Sequence, residues 1–280
     1  MNTQAQIAVQ TSGLSRVARW LRLETLMGVS DERGEEKMPV LSWPLALTLL
    51  IGNVVAVAGV RWYQQTYSFT VGLDYFEPEF QTYWMNLFYA QILVIATLGI
   101  VGTAWVWFTR PKEISLSPRK ELSYYMVILS AVTGIGFMAP VAASLFVEAD
   151  AAWHQVTIRD TDFTPTHILL FYGLIPLGLA GGVVGFLWIH TRMPDFRNRV
   201  SFNMALAIGG FVLIMPNLGF NEWGHTFFYA EELFAAPIHW GFVTLGWASF
   251  AIGGFLIQIL ARMAKLTKMV ANENKLDASA

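Results

Sequence analysis

Six stretches of this chain contain no Asp, Glu, Lys or Arg: residues 38 to 60, 80 to 109, 122 to 147, 168 to 191, 200 to 221 and 233 to 261. Each reaches the roughly 20 residues that a helix needs to cross a hydrocarbon core. In lipid every backbone N–H and C=O must find its partner within the protein, and a helix does this within a single segment. The expected fold is therefore all-α: a polytopic membrane protein with about six transmembrane helices. The run 80 to 109 is longer than needed, which places its start, with Tyr83, Trp84 and Tyr89, at the interface.

The basic residues orient the spans. The N-terminal segment, the second and fourth loops and the C-terminal tail hold 5, 4, 3 and 4 Lys and Arg, whereas the remaining loops hold only Arg61 and Arg159. A split of 16 against 2 puts both termini on the cytoplasmic side. Three regions are expected: a polar cytoplasmic segment 1–39, a six-helix transmembrane domain 40–262 and a cytoplasmic tail 263–280. In the first, Arg16, Arg19 and Arg22 recur every third residue beside Trp20, Leu21 and Leu23. That pattern suits an interfacial amphipathic helix on an anionic membrane surface, and equally an ordinary solvated helix or a disordered tail. The segment lacks the apolar core and small-residue cleavage site of a signal peptide. A net charge of −2 argues against a nucleic-acid partner, and the absence of cysteine excludes disulfides and thiolate metal sites.

Four of the five histidines fall in two sets of similar spacing. Asp150 and His154, like Asn221 and His225, are spaced i,i+4, which one helical face would present together. Each set closes with a His two residues after a proline, Pro165 before His167 and Pro237 before His239. Since proline favours the first turn of a helix, each closing His is expected at the mouth of the next helix, facing its pair. Imidazoles with a carboxylate or amide oxygen suit Cu, Zn or Fe, and Asp150 with His154 and His167 also fits the pattern of non-haem iron. Three protein ligands leave positions open for a substrate or O2, as catalysis requires. All six candidates, Asp150, His154, His167, Asn221, His225 and His239, fall near the outer ends of spans. His190, beside Thr191 and Arg192 on the cytoplasmic side, reads instead as a hydrogen-bonded interfacial residue.

The outer loops are acidic, and Asp74, Glu77, Glu79, Glu148, Asp160, Asp162, Glu222, Glu231 and Glu232 could accept from ligand imidazoles or carry protons. A hydrated loop surface explains any one of them as well. The aromatic loop Asp74–Phe80 suits a lid, a subunit contact or an ordinary interfacial belt.

Trp153-His-Gln-Val-Thr-Ile-Arg-Asp-Thr-Asp-Phe-Thr-Pro-Thr-His167, Pro216-Asn-Leu-Gly-Phe-Asn-Glu-Trp-Gly-His-Thr-Phe227 and Glu231-Glu-Leu-Phe-Ala-Ala-Pro-Ile-His239 closely resemble the C subunit of the copper membrane monooxygenases. So do Gly72-Leu-Asp-Tyr-Phe-Glu-Pro-Glu-Phe80 and Tyr83-Trp-Met85. That family includes the particulate methane, ammonia and short-chain hydrocarbon monooxygenases. The resemblance implies copper held by Asp150, His154 and His167 at one site and by Asn221, His225 and His239 at its neighbour. It further implies a trimer of three-subunit protomers in a bacterial inner or intracytoplasmic membrane, with metal sites toward the periplasm. There O2 and an external reductant of the quinol type would hydroxylate methane, another short alkane or ammonia. Ala149 departs from a usual Gln and Leu170 from a usual Glu, which removes a carboxylate near the first site. Leu218 and Phe220 replace the more usual Val and Leu. A small hydrocarbon is favoured over ammonia. Two other functions fit the residues: a metal-ordered structural subunit with catalysis on a partner, and a metal transporter. The transporter predicts charged residues deep within the spans, and the spans lack them.

Overall fold

The computed structural model describes residues 17, 20, 21, 38–136, 163–210 and 231–277, of which 231–249, 276 and 277 are described in backbone alone. The described elements are helices: α1 (Trp43–Val71), α2 (Pro78–Phe108), α3 (Pro118–Gly136), α4 (Pro165–Arg192), α5 (202–210) and α6 (Glu231–Asp277). No β-strand occurs among the described residues. Among the described residues four segments are long and apolar enough to cross a membrane, Trp43–Val71, Pro78–Phe108, Pro165–Arg192 and Phe250–Lys275. They match the first, second, fourth and sixth expected spans. The third and fifth expected spans fall partly outside the described residues. Large apolar side chains stand exposed along these helices, among them Leu93, Ile100, Phe108 and Ile257. Lipid is the solvent that such faces suit.

Two compact units divide the chain. One comprises residues 1–55, 116–140 and 259–280, and the other 56–115 and 141–258. In the first, Ser42 caps α1: its Oγ accepts from the Leu45 N–H at 3.3 Å and donates to the Leu21 carbonyl at 2.6 Å. Its own N–H donates to Ser130 Oγ of α3 at 2.8 Å. Leu21 closes a helical turn on Val17, and the neighbouring Trp20 is exposed. The Arg262 guanidinium on α6 grips the Glu121 carboxylate on α3 with two hydrogen bonds of 2.8 and 2.7 Å. Beyond the expected end of the sixth span, α6 continues to Asp277. The reason is its amphipathic pattern: Ile259, Met263, Leu266 and Val270 are buried, whereas Lys265 and Lys268 stay exposed.

In the second unit α2 and α4 pack side by side. Small residues permit the approach, since a Cβ on Gly102 would lie 3.0 Å from Val184 and one on Gly99 3.3 Å from Ala180. The pair runs parallel: Phe88 meets Tyr172 near their N-terminal ends, and Arg192 donates to the Val106 carbonyl near their C-terminal ends. Parallel neighbours require the chain between them to return across the membrane, which is the role expected of the third span.

Helix α1 runs eleven residues past the apolar run that ends at residue 60. Aromatic packing sustains the extension, with Tyr63 edge-on to Trp84 at 5.3 Å and Tyr67 stacked on Tyr83 at 4.7 Å. Trp84, expected at the interface, is fully buried in this layer. Ser201 caps α5 and joins it to α6 by a 2.9 Å hydrogen bond with Gln258. His190 holds the same junction. Its Nε2 accepts from the Ser201 N–H at 3.0 Å, which leaves Nδ1 to donate to the Phe186 carbonyl at 2.7 Å. Both ring nitrogens are thus committed, in keeping with a structural His.

Candidate functional site

The local chain around His167 begins with Thr164 in extended backbone, after which Pro165 opens α4. Pro165 suits that position because a first-turn N–H has no helical acceptor and the ring presets φ. Thr164 is the cap, and its Oγ1 accepts from the His167 N–H at 3.2 Å. His167 therefore stands in the first turn of a membrane-spanning helix, as expected, and is completely buried. Its ring lies edge-on to Phe171 at 5.3 Å.

Around it the second unit builds a dense layer. Phe80, Trp84, Met85 and Ile168 form a buried cluster, bordered by Tyr63, Tyr75, Phe88 and Phe163. Phe163 is held between Tyr75, stacked at 5.8 Å, and Tyr172, stacked at 5.7 Å, with Phe88 edge-on at 5.2 Å. Tyr75 of the loop after α1 and Phe80 in the first turn of α2 are thus packed into this layer. In that loop Asp74 is buried, and its Oδ1 accepts from the Phe76 N–H at 3.0 Å. Glu79, in the first turn of α2, stays exposed.

Gly72 is where that loop leaves α1, and nothing larger fits. An added Cβ would lie 2.6 Å from the Ser68 carbonyl oxygen and 2.9 Å from Pro165 Cγ. The absence of a side chain on Gly72 thus lets α1 approach the turn that presents His167.

Two polar side chains brace that turn. Gln64 Nε2, buried on α1, donates to Thr166 Oγ1 at 3.2 Å, and Gln91 Nε2 on α2 donates to the Ile168 carbonyl. Amides inside a membrane-spanning helix need partners there. Neither glutamine stands out in the sequence, because the spans are marked by their lack of charge and an uncharged amide leaves that pattern intact. Each helix of the α2–α4 pair also contains a π turn in this layer, Gln81–Met85 in α2 and Leu170–Leu174 in α4. Such turns are frequent at functional sites.

The remaining candidates stand differently. Asp150, His154, Asn221 and His225 lie outside the described residues, and of His239 only the backbone is described. That backbone departs from the expected pattern. Helix α6 is already formed at Glu231, so Pro237 lies in its interior and His239 two residues further in, not at a helix mouth. There the proline withholds the N–H that the Leu233 carbonyl would otherwise accept, in contrast to Pro165. Among the described residues no three His, Asp or Glu side chains converge on a common point. His167 is the one candidate ligand described with its side chain.

The family model for the C subunit of ammonia monooxygenase/methane monooxygenase matches residues 28–270. No curated protein matches the chain.

Proposed function

Because this chain belongs to the family of ammonia monooxygenase/methane monooxygenase C subunits, and so is one component of a membrane monooxygenase complex, we propose that it is the copper-bearing component and that the complex hydroxylates methane or another short alkane. Asp150, His154 and His167 would hold one copper, and Asn221, His225 and His239 a neighbouring one. The observation that carries the reading is His167: a wholly buried imidazole in the first turn of a membrane-spanning helix, with the Phe171 ring edge-on to it. Its donor chemistry fits copper, for which neutral imidazole is a favoured ligand. Copper bound there supplies the redox chemistry that O2 activation requires.

The chain's own residues supply the surroundings. The Thr164 cap and the Gln64 and Gln91 braces fix the turn on which the imidazole is mounted. The imidazole itself is wholly buried, with Phe171 edge-on to it, so bulk water is kept from the ring. A small apolar substrate partitions into the bilayer and reaches such a site from the lipid. In this reading the metal sites face the periplasm, the acidic outer loops conduct protons, a quinol-type reductant supplies electrons, and the complex is a trimer of three-subunit protomers.

The test uses intact complex in membranes, offered methane, propane or ammonia with O2. His154→Ala and His225→Ala are expected to abolish hydroxylation while the chain still co-purifies with its partners. Wild-type turnover by both assembled variants would place catalysis on another protein of the complex, and turnover of ammonia alone would overturn the substrate.

A further inference from the structure

At the end of α2 and α4 opposite His167 a cleft of about 570 Å³ opens. Arg110, Lys112 and Arg197 line it with Thr191, and Trp107 and Phe108 form its apolar wall. Among the described residues no carboxylate lines it; Glu113 and Asp195, the nearest in sequence, are not part of the wall. Arg110 is held by stacking on Trp107, 3.9 Å from the ring centre, and by donating to the Trp107 carbonyl at 2.6 Å. Arg197 donates to the Lys112 backbone carbonyl, which holds its guanidinium against the segment that carries Lys112. His190 also lines the cleft, but its two nitrogens are spent on Phe186 and Ser201. The donors presented to a ligand are thus cationic, and the ligand that suits them is an oxyanion.

Trp107 belongs to a second hollow as well. From it an apolar groove of about 580 Å³ runs between α2 and α4, past Ala104, Thr103, Gly99 and Ala96 on one side and Ala180 and Pro176 on the other. The small side chains that let the helices approach also leave this channel open along the bilayer. A basic cleft at the polar ends of two spans, bordering at Trp107 on an apolar groove along them, has the two-part chemistry of an anionic phospholipid. We propose that this face binds one such lipid, with its phosphate on Arg110, Lys112 and Arg197 and an acyl chain in the groove. The charge of the cleft selects a lipid over a helix of a partner protein, which would leave three cations at a membrane interface uncompensated.

The test is lipid binding by the intact multisubunit complex. Delipidated complex is titrated with phosphatidylglycerol, with phosphatidylcholine of the same chain length, and with inorganic phosphate, and bound lipid is counted by native mass spectrometry. Phosphatidylglycerol is expected to bind in preference to phosphatidylcholine, with inorganic phosphate unable to displace it. Lys112→Gln and Arg197→Gln should each weaken it by about fivefold. Lys112→Arg should retain it, which separates loss of charge from loss of structure. Ala96→Trp fills the groove without changing charge, and should weaken the same lipid. Equal binding by wild type and all three weakening variants, displacement by inorganic phosphate, or cross-linking of the groove to a helix of a partner protein would each overturn the proposal.

Discussion

A cation beside His167 would feel the N-terminal end of α4, where the aligned peptide dipoles place partial positive charge. Imidazole offers no charge to offset this, so the proposed first site depends on Asp150, the one ionised ligand in either set. The second site differs, because His239 lies inside α6 and away from a helix mouth. Asp150→Ala is therefore expected to lower copper content more than Asn221→Ala, measured by metal analysis of assembled complexes. Equal copper in the two would show that the carboxylate has no such role. The same layer makes a second prediction. Gln64→Leu leaves Thr166 Oγ1 without its amide donor and should lower stability by about 1 kcal/mol, read from thermal unfolding of the complex. His167 could be placed from sequence because a proline two residues before it announces a helix start. Gln64 could not, because its partner is 102 residues away and only the fold brings them together.

Among the elements, α4 was the most legible, since Pro165 marks its first turn and the apolar run 168 to 191 lies within its bounds, Pro165–Arg192. Helix α1 was less so: its last turns are maintained by Tyr63 and Tyr67 against α2, contacts that no local pattern encodes. The extension of α6 past the membrane has a buried ion pair at its base. The Glu121 side chain is 3% exposed and that of Arg262 26%, so the two partners do not tolerate loss equally. Arg262→Ala strands a carboxylate away from water, whereas Glu121→Ala leaves a guanidinium on a long stem that can turn outward. Arg262→Ala should therefore be the worse, by up to about 3–5 kcal/mol relative to wild type, and Glu121→Ala milder. Urea or thermal unfolding of the two variants side by side decides it. The reverse order would mean that the pair is wetter than its geometry implies.

For the molecule as a whole, the packing of α1, α2 and α4 and the distribution of Lys and Arg bear on the same question from independent directions. The C-terminal end of α1 and the N-terminal ends of α2 and α4 meet in the aromatic layer at His167, while Arg110, Lys112, Arg192 and Arg197 gather at the other end of α2 and α4. The α2–α4 pair thus has the His167 layer at one end and a basic cluster at the other. Positive charge marks the cytoplasmic side, so the basic end should face the cytoplasm and His167 the outside. The count of Lys and Arg could give this polarity without any structure, but it could not pair α2 with α4, since that pairing depends on Gly99 and Gly102 meeting particular residues of a distant helix. Reporter fusions near Arg119 and near Arg159 are expected to fall in opposite compartments, the first cytoplasmic. A reporter pair in one compartment would remove the crossing between them and would contradict the parallel packing of α2 and α4. Opposite compartments in the reverse sense would keep that packing but turn the basic cleft outward and put the His167 layer on the cytoplasmic side.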